Sequence, residues 1–476
     1  MRTAYDVETV RSAERALMAR LPDGTLMHRA AAGLAVACAD LLGKVYGSRV
    51  TVLAGSGDNG GDALFAGARL ARRGAGVTAL LLAPDRAHPG GLAALRAAGG
   101  AVADAGSATA EETVSRADLV LDGIVGIGGR GGLRPRAARL IEAARGIVVA
   151  VDLPSGVDAD TGEVHGDAVR ATATVAFGAY KPGLLIDPAH EYAGALRLVD
   201  IGLGLPPEQA VLEALHHADV AALLPEPAGE SDKYRRGVVG VVAGSARYPG
   251  AAVLAVAGAL HGGAGAVRYV GPAADAVLAR FPETLVSAGP PAKAGRVQSW
   301  VIGPGLGDDT AGLPDVLDAD VPVLIDADGL RLADARAVRA RTAPTVLTPH
   351  AGEAAALLGV ARDEVEGRRL SSVRELAERF RATVLLKGST TLVAAPDGPV
   401  RVNPTGTPWL ATAGSGDVLS GLTGSLLAAG LRPLDAASAA AYLHGLAARS
   451  TANGAPVTSQ DIAQAVPTAW RSIKTP

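Results

Sequence analysis

Short runs of aliphatic and β-branched residues alternate with longer Ala/Leu/Arg segments through the first two hundred positions. The runs at 50–53, 77–82, 119–121, 147–151, 174–177 and 196–199 predict strands, and the segments between them, such as 62–73 and 136–145, suit amphipathic helices. Strand–helix alternation of this kind predicts an α/β sheet of parallel strands with helices on both faces and ligands at the strands' carboxyl ends. A second series follows at 238–243, 267–270, 301–302, 323–325, 345–347, 384–386 and 392–394. Between the two series, residues 205–230 hold several prolines, a His-His pair and a Pro-Glu-Pro, which is connector composition. The boundary is expected within 205–225, giving domains 1–212 and 213–476. Neither half carries a short-period repeat, and the halves are not copies of each other.

Composition narrows the class. At 476 residues the chain is too long for one ordinary core. With 49% hydrophobic and 20% charged residues it reads as globular. A net charge of -3 without a basic block argues against nucleic acid as a partner. The sole cysteine, Cys38, excludes an intrachain disulfide and a cysteine-rich zinc site. The first residues are not a charged-then-apolar export signal, and apolar stretches such as 251–270 carry His261 and Arg268, so they read as buried helices and not membrane spans. A soluble, cytoplasmic chain acting on small molecules is expected, with a homo-oligomer as its assembly.

Two glycine-rich loops carry the candidate chemistry. In the first, a strand ends at Ala54 and Gly55, Ser56, Gly57, Asp58, Asn59, Gly60, Gly61 and Asp62 lead towards a helix. Glycines let backbone amides approach a ligand, and a helix N-terminus offers free N–H groups to an anion. A tight βα turn with Asp62 as N-cap explains the same residues, and both readings can hold together. Neighbouring strand ends add Asp122 with a glycine-rich loop after it, then Asp152 and Ser155, then Lys181. Four consecutive strand ends bearing polar groups converge on one sheet edge, which turn chemistry alone does not explain.

The motifs "GDNGGD", "LDGIVGIG", "DLPSGVDADTG" and "FGAYKPGLL" resemble the epimerase domain of the bacterial bifunctional NAD(P)H-hydrate repair enzymes over roughly residues 1–205. The resemblance implies a Rossmann-like three-layer domain that binds a potassium ion through Asn59, Asp122 and Ser155. It also implies that Asp58, Asn59, Gly60, Gly61 and Asp62, together with Gly126, Ile127, Gly128, Gly129, Arg130, Gly131 and Gly132, hold the dinucleotide. Asp152 is expected to contact the substrate as general base, with Lys181 in support. The chain departs from the family's paired asparagines with Asp58–Asn59 and from a common glycine with Ala63.

In the second loop, Gly414, Ser415, Gly416 and Asp417 precede an apolar helix expected over 418–429. Amides at 415–418 can hold an anion, but an aspartate there would repel phosphate. Its natural role is to take a proton from a hydroxyl attacking the phosphate, although an N-cap carboxylate is the plainer reading. Lys387, Gly388, Ser389, Thr390 and Thr391 form a turn between two strands suited to nucleotide phosphates. His350 and Glu353 follow another strand, and Asp326 and Asp328 a further one, where they can help organise Mg²⁺ through water.

"SDKYRRGVVGVVAGSARYPGAA", "RFPETL", "GPGLG", "DADGL", "TPHAGE", "LKGSTT" and "AGSGDVLSG" resemble, in order across 230–476, the ADP-dependent NAD(P)H-hydrate dehydratase branch of the ribokinase-like superfamily. The resemblance implies a ribokinase-like α/β domain in which Ala252, Gly305, His350 and Asp417 line the hydrate site. Lys387, Gly388, Ser389, Thr390, Thr391 and Gly416 would bind the nucleotide. Ala413, Ser415 and Trp409 depart from the usual residues, with the Ser415 hydroxyl retained.

The expected function is epimerisation of R- and S-NADHX and NADPHX by the first domain and ADP-dependent dehydration of the S form by the second. The alternative is a C-terminal kinase for a hydroxymethylpyrimidine-type vitamin precursor joined to a non-catalytic N-terminal binding module.

Overall fold

The computed structural model describes residues 1–474 as two compact units, one of Thr3–Leu212 and the other built from Glu213 onward together with Met1–Arg2. In the first unit seven strands form one sheet, in the order Ala101–Asp104, Gly76–Leu81, Arg49–Ala54, Leu119–Gly123, Ile147–Val151, Ala173–Phe177 and Ala195–Val199. Every pairing is parallel. From Arg49–Ala54 the chain builds outward to one side and then returns to build the other. This opens a crevice between the ends of Arg49–Ala54 and Leu119–Gly123, the switch point where such sheets bind ligands.

The helix after the first strand is Asp58–Arg72, so it begins before the expected position 62. Asp62 is therefore not its N-cap; Gly57 holds that position with φ 113°, a conformation glycine adopts without strain. Glycine inside the first turn has a separate cause. A Cβ on Gly60 would lie 2.5 Å from the Gly55 carbonyl oxygen.

One helix, Thr25–Leu42, is long and apolar enough by composition to cross a membrane. Its Leu26, Ala30, Ala31, Leu34 and Cys38 pack with Val175, Phe177 and Ile201 in the core of this unit, which accounts for the apolar run.

The second unit's sheet includes the order Val400–Asn403, Thr391–Ala394, Thr383–Leu386, Thr345–Leu347, Val323–Ile325, Ser299–Ile302, Val238–Val242, Ala266–Val270 and Leu285–Ser287. Pairing is parallel from Leu285–Ser287 through Thr383–Leu386 and antiparallel in the two hairpin pairings beyond. Its switch point lies between Val238–Val242 and Ser299–Ile302. The stretch 251–270, expected as buried helix, divides into the helix Pro249–His261 and the strand Ala266–Val270.

Helices Pro249–His261 and Ser415–Ala428 touch backbone to backbone. A Cβ on Gly421 would sit 1.9 Å from the Ala255 carbonyl oxygen, and one on Gly258 would sit 2.1 Å from that of Val418. The contact fixes the N-terminus of Ser415–Ala428 above the sheet. Leu422, Leu426, Ala436, Ala440 and Ile462 join it to the helices Pro433–Ala452 and Ser459–Lys474 in one apolar core.

Candidate active sites

In the first unit, Asn59, Asp122 and Ser155 meet at the switch point. Asp122 is fully buried at the end of its strand. Its Oδ2 accepts from the Ser155 amide at 2.8 Å, and its Oδ1 from the Ser155 hydroxyl at 2.6 Å and the Ile124 amide at 3.3 Å. Ser155 Oγ also lies 3.1 Å from the Val125 carbonyl oxygen. Burial raises the Asp122 carboxyl to about 6 against the pull of these donors. Asn59 packs against Gly126, where a Cβ would come within 3.0 Å of its Oδ1, and its buried Nδ2 has no partner among the described residues. Oxygen donors around a buried carboxylate with no basic side chain on it suit a hard cation.

The loop after Asp122 divides its contacts. Gly126 adjoins Asn59, and Ile127 packs beside Tyr5 and Val10. Gly128, Arg130, Gly131 and Gly132 are exposed, and a Cβ on Gly132 would come within 2.3 Å of the His165 carbonyl oxygen. Only the start of that loop therefore abuts the Asn59 side chain.

Asp152 and Lys181 form a buried ion pair at 2.5 Å. The same Asp152 oxygen accepts the Phe177 amide at 3.0 Å, while Lys181 Nζ also donates to the Phe177 carbonyl at 3.2 Å. Asp152 holds a left-handed backbone, φ 65°, which L-residues adopt at a cost. Beside this pair lies a cavity of about 380 Å³ lined by Glu14, Thr25, His28, Asp58, Asp62, Phe65, His88 and Phe177, among others. Asp62, read from the sequence as a capping residue, instead lines this cavity. Glu14, His28 and His88 were missed because none of them stands at the end of a sheet strand, where the sequence pattern looked for chemistry. Their only sequence mark is a polar position on a helix face or before a helical proline.

In the second unit, successive strand ends bring Asp326, His350 and Lys387 towards the N-terminus of Ser415–Ala428. Gly414, φ 85°, is that helix's N-cap, and Asp417 lies in its first turn. Burial first, and then the Asp326 charge, raise the Asp417 carboxyl to about 7, with Lys387 opposing. Lys387 Nζ pairs with Asp326 Oδ1 at 2.8 Å and stands 3.7 Å from Glu353 Oε2. Burial opposes the Lys387 charge, but Asp326, Glu353 and Asp417 outweigh it and raise the ammonium's pKa. A Cβ on Gly416 would lie 3.4 Å from Lys387 Nζ. The Ser415 hydroxyl donates to the Leu410 carbonyl at 2.8 Å, tying down the loop that carries the exposed Trp409.

Both Asp326 oxygens are held within the protein: Lys387 takes one and the Ser420 hydroxyl takes the other at 2.6 Å. Asp328 accepts the Gly307 amide at 2.8 Å. Among the described residues no cluster of three His, Cys, Asp or Glu side chains is placed to hold a metal.

His350 caps Ala351–Leu358. Its Nδ1 accepts the Gly352 and Glu353 amides at 2.9 and 3.1 Å, and Glu353 returns a bond to the His350 amide. Nδ1 as acceptor places the proton of a neutral ring on Nε2. Gly305, φ 66°, packs on Ala251 and Tyr248 beside the buried Ala252. In the 387–391 turn, Gly388 and Ser389 are exposed, while Thr390 and Thr391 are buried and the Thr391 hydroxyl closes the turn on the Gly388 carbonyl. The buried Arg369 guanidinium donates to the carbonyls of Leu386, Lys387 and Thr390 and so supports the turn from beneath, a role with no local motif to announce it.

Comparison with known proteins covers both units. Residues 239–468 match the family described as NAD(P)H-hydrate dehydratase, and residues 23–183 match the YjeF-related protein N-terminus. A bifunctional NAD(P)H-hydrate repair enzyme of Mycobacterium leprae is 52% identical over 467 residues, covering 95% of this chain and 94% of that protein. A repair enzyme of the same description from Mycobacterium tuberculosis is 50% identical over 452 residues, covering 92% of each. Among solved structures, an ADP/ATP-dependent NAD(P)H-hydrate dehydratase of Bacillus subtilis, co-crystallised with ATP and Mg²⁺, is 30% identical. It covers 54% of this chain and 97% of its own, with a TM-score of 0.50.

Proposed function

The chain belongs to the family of bifunctional NAD(P)H-hydrate repair enzymes, and from that premise we propose how its two sites divide the work. The protein is an enzyme that epimerises NAD(P)H hydrates and dehydrates them back to NAD(P)H. We assign epimerisation to residues 1–212 and dehydration to residues 213–476.

In the dehydration site, the S hydrate's ring hydroxyl attacks the terminal phosphate of ADP. Asp417 takes the hydroxyl proton, and the amides at the start of Ser415–Ala428 hold the negative charge that develops. Lys387, anchored by Asp326, lies where the phosphates pass, with Gly388, Ser389, Thr390, Thr391 and Gly416 around the nucleotide. Phosphate then leaves as the ring nitrogen's electrons form a C=N bond. The adjacent ring carbon gives up a proton to the departing phosphate or to water as the ring C=C forms, so this step needs no strong protein base. Ala252, Gly305 and His350 line the hydrate pocket, with His350 Nε2–H as a donor. The observation that carries this reading is Asp417 itself, a buried carboxyl raised to about 7 in the first turn of a glycine-opened helix, beside Asp326 and Lys387. Mg²⁺ would accompany the nucleotide's phosphates, with Asp326 and Asp328 able to reach it through water.

In the epimerisation site, Asp152 is the base at the hydrated carbon and Lys181 is paired with it. Asn59, Asp122 and Ser155 would hold K⁺, and the buried carboxylate without a basic partner supports that fit. The ion would supply positive charge beside the dinucleotide. The loops at 58–62 and 126–132 take the dinucleotide. We place the enzyme in the cytoplasm, where reduced nicotinamide cofactors are used. The vitamin-precursor kinase reading is not favoured, because both halves match the repair enzymes.

Assays with separated R and S hydrates, with ADP or ATP and with or without KCl, test the whole reading. S hydrate plus ADP should regenerate the reduced-nicotinamide absorbance, and R hydrate should do so only through epimerisation that K⁺ accelerates. A stable phosphorylated product would support a kinase instead.

A further inference from the structure

Asp62 is placed unlike the other carboxylates of the epimerisation site. It is 8% exposed, lines the 380 Å³ cavity, and its Oδ1 is buried with no hydrogen-bond partner among the described residues. Such an atom costs stability unless something is to be bound there. Phe177 lines the same cavity, and its backbone amide and carbonyl hold Asp152 and Lys181, so the two carboxylates act at one place.

This inference rests on the epimerase assignment. We propose that Asp62 is the proton donor to the hydrate's ring nitrogen, while Asp152 is the base at its hydroxyl. The hydrate carries its hydroxyl on the carbon bonded to that nitrogen. Asp152 removes the hydroxyl proton, the oxygen's electrons form a C=O bond, and the C–N bond breaks. Its electron pair goes to nitrogen, which takes the proton from Asp62. Rotation about the adjacent C–C bond turns the other aldehyde face to the nitrogen. Closure then runs the steps backward: Asp62 recovers its proton, nitrogen attacks carbon, and the oxygen takes the proton held on Asp152. Atoms and electrons balance with no co-reactant, and the C–O bond is never broken. That last point separates this site from the dehydration site, which needs phosphorylation because hydroxide leaves poorly.

The two acids meet different surroundings. Asp152 has the Lys181 ammonium against it. Asp62 has no cation; burial first, and then the charges of Asp152, Asp58 and Glu14, raise its carboxyl well above the ordinary range. Glu14 itself is raised, mainly by burial. His28, from Thr25–Leu42, and His88, before Pro89–Ala97, are the imidazoles on the same cavity; His88 Nδ1 is used by the Gly91 amide.

The test is Asp62→Asn in the full chain, an isosteric change that keeps the packing. R-to-S conversion is followed across pH, with dehydration of S hydrate by ADP as the internal control and a thermal melt as the folding control. We expect kcat for epimerisation to fall at least about 100-fold with KM within about threefold and dehydration unchanged. The wild-type rate should decline at high pH as Asp62 loses its proton, and D62N should lack that decline. An epimerisation kcat within about tenfold of wild type, or a loss confined to KM, overturns the assignment. So does a wild-type rate that stays flat to about pH 9, which is independent of how the variant folds. A wild-type enzyme that does not interconvert the hydrates at all would sink the epimerase reading itself, a different outcome.

Discussion

Replacing Asp417 by asparagine tests stability and catalysis through one atom. The carboxyl has an ordinary value of 3.8 and sits at about 7 in the folded chain, chiefly through burial and the Asp326 charge. An unfolded chain ionises this group near 4, while the folded chain keeps the proton to about 7. Stability from this site is therefore full below 4, falls as pH rises through the interval, and is level above 7. The whole difference is at most about 4 kcal/mol, of which about 2.5 kcal/mol falls between pH 5 and 8. D417N removes the titrating proton and should flatten that slope. Trp300, Trp409 and Trp470 are the chain's three tryptophans and all lie in the second unit. Urea unfolding followed by tryptophan fluorescence therefore reports on the dehydratase half alone. In the same enzyme, dehydration by ionised Asp417 should fall about tenfold per pH unit below 7. Equal pH slopes for wild type and D417N in unfolding, or a wild-type rate that holds level down to pH 5, would refute the reasoning. D417N should retain ADP binding, by calorimetry, while losing turnover.

Two further outcomes follow from the packing. Asp122→Ala strips the acceptor from the buried Ser155 amide and hydroxyl, at about 1–3 kcal/mol for each orphaned donor. It should slow epimerisation, leave dehydration unchanged, and abolish any rise in melting temperature that KCl gives over NaCl. Gly421→Ala drives a methyl group into the Ala255 carbonyl at 1.9 Å, so the helix pair must part. We expect a loss of at least about 3 kcal/mol in the tryptophan-reported transition and of dehydration, with epimerisation intact; a soluble variant with normal dehydration would contradict the close contact.

The central strands were legible because they are continuous apolar runs; Ile147–Val151, Val323–Ile325 and Thr345–Leu347 lie where the pattern put them. The strands Ala101–Asp104 and Leu285–Ser287 were missed. Both stand at sheet edges, half exposed, and edge positions place little demand on composition. The two glycine loops were read as loops where the chain is already helical, at Asp58 and at Ser415. Glycine's poor helix propensity hides those first turns, and the reason for Gly60, a carbonyl 2.5 Å from its would-be Cβ, exists only in three dimensions. The same error made Asp62 a cap. Motif spacing brought Asn59, Asp122, Asp152, Ser155 and Lys181 to one edge. It said nothing of Glu14, Arg369 or the Asp326–Lys387 pair, whose partners are far along the chain.

Asp152 is held in a backbone conformation that glycine or asparagine would adopt more cheaply. Relief of that strain alone would not favour a change there, because glycine or asparagine at 152 would leave the buried Lys181 without its carboxylate. A library of this protein selected only for heat resistance should therefore keep aspartate at 152 and relieve strain elsewhere. Such a selection would preserve the base without ever asking for epimerisation.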